Sequence, residues 1–289
     1  MLEFEISKIL SMDQFSPSEL ILNPDGSVYH LGLVASDIPD LIFTVGDPDR
    51  VASVSQHFDT VIWTKTRREF TITRGTLNNH EVLALSTGMG TDNIDIVLNE
   101  LDAAVNIDPK TRTRNPKKRT LTIIRIGTSG AIDPSITVGT LLHSTGALAF
   151  DALLPFYEHN FKTIPIANSP IQPTYIPVPS ARTPKFEGLM HGITATLPGF
   201  YGPQGRSIQI KSTFKETLQN LYKTQLGEFH ITNFEMETSG IYALANLLGH
   251  EAHSFSALLA NRTTNEFHPD PSGPVNDLIK KVLDWATKS

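Results

Sequence analysis

The chain has 289 residues of which 39% are hydrophobic, enough to bury a large core as one α/β domain spanning 1–289. Its formal net charge of −6 offers no electrostatic footprint for nucleic acid or an anionic membrane surface, so any anion must be bound locally. Zero cysteines exclude disulfides, thiolate metal sites and a cysteine nucleophile, and no stretch is apolar for long enough to span a bilayer.

Residues 1–28 read as an N-terminal extension. Over its first twenty positions Glu3, Glu5, Lys8, Asp13 and Glu19 interrupt the apolar residues. That is neither the charged start nor the apolar run of a secretory signal, and it points to a soluble, cytoplasmic protein. Short β-branched runs then predict strands at 41–45, 81–86, 121–126, 140–144, 192–196 and 254–260. Between them, 93–101 and 236–248 have helical periodicity, the second ending at Gly249 as a helix C-terminus often does. The clearest helix is the last: Val275, Leu278, Ile279, Val282, Leu283 and Ala286 recur at helical spacing behind a Ser272-Gly273-Pro274 start. Alternating strands and helices are the pattern of an α/β sheet covered by helices.

Two features read as structural. Lys110, Arg112, Arg114, Lys117, Lys118 and Arg119 form a basic run without aromatics among them, and an exposed loop joining a helix to a strand explains it better than a nucleic-acid surface. His250 and His253 stand three apart, not at the H-E-x-x-H spacing, and read as part of a solvated turn.

The chemistry lies in two arginine-bearing segments, each read as a turn where an apolar strand ends. They are Val45-Gly46-Asp47-Pro48-Asp49-Arg50 and Arg125-Ile126-Gly127-Thr128-Ser129-Gly130. Glycine lets the backbone come close to a ligand, successive N–H groups can converge on an anion, and a guanidinium adds forked, charge-assisted donors. Together they read as a phosphate site.

With Gly199-Phe200-Tyr201-Gly202-Pro203-Gln204-Gly205-Arg206 and Asn233-Phe234-Glu235-Met236-Glu237-Thr238 following in order, the chain from about Tyr29 to its C-terminus resembles the nucleoside phosphorylase family. Its uridine-cleaving members are more similar than its purine-cleaving ones. The resemblance implies an α/β three-layer sandwich with a central mixed, partly barrel-like sheet flanked by helices. It further implies that Gly46, Arg50, Arg125 and Thr128 bind phosphate, joined by Arg68 reaching in from the neighbouring subunit. The ribose would be held by Met236 and Glu237, with Glu235 beside them, and by His30, again across the subunit boundary. Ser129, Gly130, Phe200, Gln204, Arg206 and Arg262 would form the base pocket. Arg125, Gln204 and Arg206 would carry the catalysis.

On this reading the reaction is phosphorolysis of a pyrimidine nucleoside, with inorganic phosphate as co-substrate, no organic cofactor, and a homo-oligomer of two or of six chains. Purine phosphorylases of the family carry an aspartate where this chain has Leu258-Leu259-Ala260-Asn261, which argues against purines. The order Gly202-Pro203-Gln204-Gly205 departs from the usual base loop and widens the expected substrate to deoxy or modified pyrimidine nucleosides. Glu69, the Met89 carbonyl and Asn93 fall where relatives hold potassium between subunits, and an interface salt bridge is the equal alternative for Glu69. Two other readings stand beside this one: a nucleosidase of the same fold, for which the arginines have no use, and a nucleoside-binding protein without turnover.

Overall fold

Five strands close on themselves at the centre of the molecule, and a wing of four more extends from one of them. In the computed structural model, which describes residues 14–288, the ring consists of β5 (Thr122–Ala131), β6 (Leu141–Ala149), β8 (Leu189–Thr196), β9 (Phe229–Glu235) and β10 (Glu251–Asn261). Neighbours run in the order β9-β8-β6-β10-β5, and β9 then pairs back onto β5, with Asn233 opposite Ala131 and Phe234 opposite Gly130. A Cβ at Gly130 would lie 3.0 Å from the Phe234 ring, so glycine gives the closing strands their spacing. The wing continues from β5 through β1 (Leu41–Val45) to β4 (His80–Ser86), β3 (Phe70–Leu77) and β2 (Thr60–Arg67). One further strand, β7 (Thr174–Pro177), lies antiparallel to β6.

The central strands alternate between two helical layers, which gives the three-layer sandwich expected from the sequence. Ile42, Leu83, Leu85 and Ile123 point into a core completed by α2 (Thr91–Asn106) and α4 (Thr238–Leu248). The intervening Phe43, Val82, Ala84 and Ile124 point into a second core under α1 (Pro48–Ser55) and α5 (Ser272–Thr287). A period of two is what a strand buried on both faces provides, and burial on both faces makes these strands read as unbroken apolar runs. A last helix, α3 (Lys215–Leu221), packs Leu218 and Leu221 on a third cluster with Ile193 and Ile231. Gly249 ends α4 in the left-handed conformation, φ 67°, as its place in the sequence implies.

The structure differs from the sequence reading at several points. Strands β2 and β3 were not expected. β2 is exposed along nearly all of its length, and its run Val61-Ile62-Trp63 does not alternate with polar residues as a half-buried strand would. The segment 127–130 is strand rather than turn, because β5 keeps pairing with β10 on one side while meeting β9 on the other. In the first arginine segment, Asp47 caps α1 by accepting the Asp49 N–H at 3.0 Å, which puts Arg50 in the first helical turn.

The basic run is more than a solvated loop. Arg112 donates from Nε to the Phe15 carbonyl at 2.8 Å and from Nη2 to the Ser16 carbonyl at 2.9 Å, with a further bond to the Leu20 carbonyl. Arg119 donates to the carbonyls of Ala35 and Ile38 and to the Asp40 carboxylate. Both arginines thus strap the segment before β1 onto the body of the protein. Of the expected extension 1–28, positions 1–13 lie outside the described residues. Among the described residues no helix is long and apolar enough to cross a membrane.

The two histidines read as a solvated turn are buried. The His250 ring accepts the Leu121 N–H at Nδ1, 3.2 Å away, and its Nε2 lies 3.2 Å from the Asp102 carboxylate. His253, in β10, meets His143 Nε2 at 3.1 Å, and His143 in turn meets His191 at 3.3 Å. The apolar positions of β10 place His253 inside, which spacing to His250 alone could not indicate. Burial drives His143 well below the ordinary range and pushes His253 down to about 4. Both are therefore neutral in the folded protein at pH 7 and protonated near pH 6.5 when unfolded, so folding stability is fully present above pH 6.5 and falls with pH below it. Urea titrations from pH 7 to pH 4 are expected to show His253 alone costing about 3 kcal/mol over that window, and His253→Leu to flatten the slope by about one proton.

Candidate active site

A cavity of about 580 Å³ opens at the carboxyl ends of β1, β5 and β9 and is lined by Gly46, Arg50, Arg125, Thr128, Ser129, Gly130, Phe200, Gln204, Arg206, Glu235, Met236 and Glu237. The segments that the sequence reading singled out separately therefore meet in one place. Arg125 is its centre. Position 125 shares the α2/α4 face of β5 with Ile123, so its side chain runs toward the N-termini of both helices. There Nη2 meets Glu235 Oε2 at 3.0 Å and Glu237 Oε2 at 2.7 Å, while Nη1 donates to Ser256 Oγ at 3.2 Å.

The two carboxylates have different duties. Glu235 accepts from Thr196 Oγ1 at 2.8 Å, from the Glu237 N–H at 2.9 Å and from the Thr238 N–H, and so caps the start of α4. Although the resemblance places it with the ribose set, its oxygens are turned inward and committed. Glu237 is held by the Gly90 N–H at 2.8 Å as well as by Arg125. Against burial, the two carboxylates raise Arg125 above the ordinary arginine range. Glu237 is raised by burial, with Arg125 opposing the shift and the charge of Glu235 adding to it. Two carboxylates around one guanidinium leave an excess of negative charge, and Glu237 bears it. Burial and the positive charge of Arg125 push Arg50 down. Two guanidinium groups thus line one cavity, a donor set whose chemistry suits an anion.

The far wall is the loop between β8 and α3. Gln204 is 3% exposed, and Gly205 turns the chain with φ 71°. Arg206 donates to Gln204 Oε1 at 2.7 Å and to the Phe200 carbonyl at 2.5 Å, with its guanidinium 3.7 Å from the Phe200 ring centre. Burial and the nearby charge of Arg262 push Arg206 down to about 10. Arg262 does not line the cavity, and its Nη1 is buried with no hydrogen-bond partner. Leu259, Ala260 and Phe267 complete this wall; the sequence reading noted the first two for lacking an acid and did not single out Phe267.

Arg68 and His30 are absent from the cavity lining. They sit together elsewhere: Arg68, at the tip of the β2–β3 hairpin with φ 52°, lies 5.1 Å from the Tyr29 ring centre, and Tyr29 packs edge-on to His30 at 4.9 Å. Of the cation set, Glu69 and Met89 reach the rim of the cavity, whereas Asn93 lies in the first turn of α2 outside it. Glu100, Gly90 and Ser256 contribute contacts that the sequence reading missed. Ser256 is a small residue in an apolar strand, Glu100 an acid in a helix and Gly90 one glycine among many, and nothing local marks them.

The family model of the phosphorylase superfamily matches residues 40–288. Uridine phosphorylase of Thermococcus kodakarensis is 28% identical over 280 residues, covering 95% of this chain and 93% of that protein. Uridine phosphorylase of Klebsiella aerogenes is 30% identical over 268 residues, covering 90% and 94%. Among solved structures, a Trypanosoma brucei nucleoside phosphorylase showing uridine phosphorylase activity superposes with a TM-score of 0.80 at 24% identity, over 93% of this chain and 100% of that one.

Gly127 provides a direct test of the Arg125 geometry. A Cβ there would fall within 2.6 Å of Nη1, Cζ and Nη2 of Arg125, so the guanidinium can lie along the strand only beside glycine. Gly127→Ala is expected to displace it and weaken inorganic phosphate binding about tenfold or more by calorimetry, with the circular dichroism spectrum unchanged.

Proposed function

The chain belongs to the phosphorylase superfamily, and we propose that it catalyses phosphorolysis of a pyrimidine nucleoside, uridine and phosphate giving uracil and ribose 1-phosphate, in nucleoside salvage. The observation that carries this reading is that one cavity joins Gly46, Arg50, Arg125 and Thr128, a donor set suited to an anion, to the paired Gln204 and Arg206, with Glu237 bound to Arg125.

Each group has work suited to its surroundings. Arg50 and Arg125 hold the phosphate dianion, whose negative charge relieves their mutual repulsion. Glu237 accepts from the vicinal hydroxyls of ribose, and Met236 packs against the sugar. A phosphate oxygen forms the new bond to the anomeric carbon as the bond to the pyrimidine nitrogen breaks, and the bonding pair leaves with uracil, which then takes a proton. The developing negative charge falls beside Arg206, already destabilised as a cation by burial and Arg262, and beside the Gln204 amide, whose carbonyl is occupied by Arg206 and whose NH₂ remains to donate. Positioning and charge stabilisation carry the reaction, without a covalent intermediate on the protein.

Two guanidinium groups facing one cavity, that of Arg125 buried and that of Arg50 partly so, favour a phosphate nucleophile over water, and hence a phosphorylase over a nucleosidase. Against purines, Asn261 turns inward to the carbonyls of Asp133 and Ile136, leaving only Leu259 and Ala260 on that wall of the cavity. The clustering of Arg68, Tyr29 and His30 away from their own cavity supports an assembly of at least two chains, each completing the other's site. Glu69 offers a hard oxygen at the rim, suited to a potassium ion shared with a second copy. The cysteine-free composition supports a cytoplasmic location.

Uracil release from uridine, followed by absorbance, is expected to require inorganic phosphate, and inosine is expected to be inert. Arg125→Ala should lower kcat/KM about 10²- to 10³-fold, and Gln204→Ala should impair uridine far more than phosphate affinity. Phosphate-independent release would replace this reading with hydrolysis. Because burial raises Glu237, it gains its proton at a pH above the ordinary 4.5 of a carboxyl. KM for uridine is therefore expected to climb as pH falls while still above that value, and Glu237→Gln to abolish this limb.

A further inference from the structure

His30 is held by a single side chain. Glu100, on α2, accepts the backbone N–H of His30 at 2.8 Å on Oε1 and 3.0 Å on Oε2, and the backbone N–H of Leu31 at 2.8 Å on Oε2. It also meets His30 Nδ1 at 2.6 Å. A carboxylate that already accepts two backbone N–H groups offers Nδ1 only acceptor oxygens, so in the neutral form of the imidazole the proton resides on Nδ1. Nε2 is left bare. The His30 side chain is 31% exposed and that of Glu100 14%, so the anchored side faces inward and the free nitrogen has access to solvent.

Among the described residues no other side chain hydrogen-bonds to that ring. Tyr29 meets it edge-on, and Arg68 lies over Tyr29 rather than over the imidazole. The segment carrying His30 is strapped on either side, by Arg112 at 15–20 and by Arg119 at 35–40, and Glu100 fixes its middle. The same helix α2 begins at Gly90, whose N–H binds Glu237 in the cavity of its own chain. One rigid element thus carries a contact to the chain's own site at its start and the anchor of His30 about 15 Å further along.

We infer that Glu100 is the positioning residue of His30: it sets the Nδ1–H form of the ring and presents the bare Nε2 as the acceptor for the 5′-hydroxyl of a nucleoside bound by a neighbouring copy. This rests on the function proposed above. A 5′-hydroxyl can both donate and accept, and only the form with an unprotonated Nε2 accepts a hydrogen bond from its O–H and leaves its oxygen lone pairs free for other donors. Glu100→Gln keeps the shape but supplies an amide NH₂ that can donate to Nδ1, which allows the opposite form, with Nε2 protonated and unable to accept.

Two measurements test this. The first is a long-range nitrogen–proton correlation spectrum of histidine-labelled protein at pH 8, with the His30 signals identified by their loss in His30→Ala. It is expected to show Nδ1–H in the native protein and Nε2–H in Glu100→Gln, and a native Nε2–H overturns the inference whether or not the protein turns over uridine. The second compares uridine with 5′-deoxyuridine. Glu100→Gln is expected to lower kcat/KM for uridine about tenfold while changing that for 5′-deoxyuridine less than about twofold, and the double variant with His30→Ala should match His30→Ala alone. Equal losses on both substrates, or additive effects of the two substitutions, would reduce Glu100 to a structural role. Absence of phosphate-dependent turnover in the native protein, with the Nδ1–H form present, would count against the proposed reaction and leave the anchoring of His30 standing.

Discussion

A buried guanidinium between two buried carboxylates is expensive to assemble, and much of this structure serves to make it tolerable. Arg125, Glu235 and Glu237 are 5%, 4% and 6% exposed, and removing Arg125 would leave two uncompensated carboxylates in the interior. The remaining lone pairs and protons are satisfied from four elements. β8 supplies the Thr196 hydroxyl, β10 the Ser256 hydroxyl, the start of α4 its backbone N–H groups, and the start of α2 the Gly90 N–H. This is the arrangement in which a buried ion cluster specifies geometry, and it requires the closed ring of strands. Only when β9 returns to β5 do Glu235 and Arg125 come within hydrogen-bond reach.

The closure also gives a chain of net charge −6 a local concentration of positive charge. The positive charge is concentrated where strands end and helices begin, with Arg50 in the first turn of α1 and Arg125 among helix N-termini, so backbone dipoles and guanidinium groups act in the same direction. Screening by bulk solvent is weak in such a cavity, and a local arrangement outweighs the overall charge.

Much of this was legible in the sequence for a definite reason. Strands β1, β4, β5 and β10 are buried on both faces, so their apolar runs survive any choice of register, and α5 exposes one face and therefore carries a clean helical period. In the hairpin β2–β3 the edge strand β2 is wetted along nearly its whole length and lacks the alternation of a half-buried strand, and yet the tip that follows it carries Arg68 and Glu69. His253 was misjudged from its spacing to His250, when the relevant partners, His143 and Trp285, lie on other elements. Glu100 had no local signal at all. Its partner is 70 residues away, and an acid in an amphipathic helix reads as solvated until the fold brings the backbone of 30–31 against it.

The base wall follows a different logic from the anion site. Arg125 is raised and locked by carboxylates, whereas Arg206 is lowered and leans on neutral groups: a ring face, a carbonyl and the Gln204 amide. A guanidinium neutralised beforehand by a carboxylate would gain little from a nucleobase acquiring negative charge, because that charge would have to compete with the existing partner. Arg206, desolvated, repelled by Arg262 and without a carboxylate partner among the described residues, is the one that would gain most as the glycosidic bond breaks in the proposed reaction. The two arginines thus divide the work by environment rather than by residue type. In the proposed reaction Arg125 would order the ground state in which phosphate and sugar are held in line, and Arg206 would favour the charge distribution that exists only on the way to products.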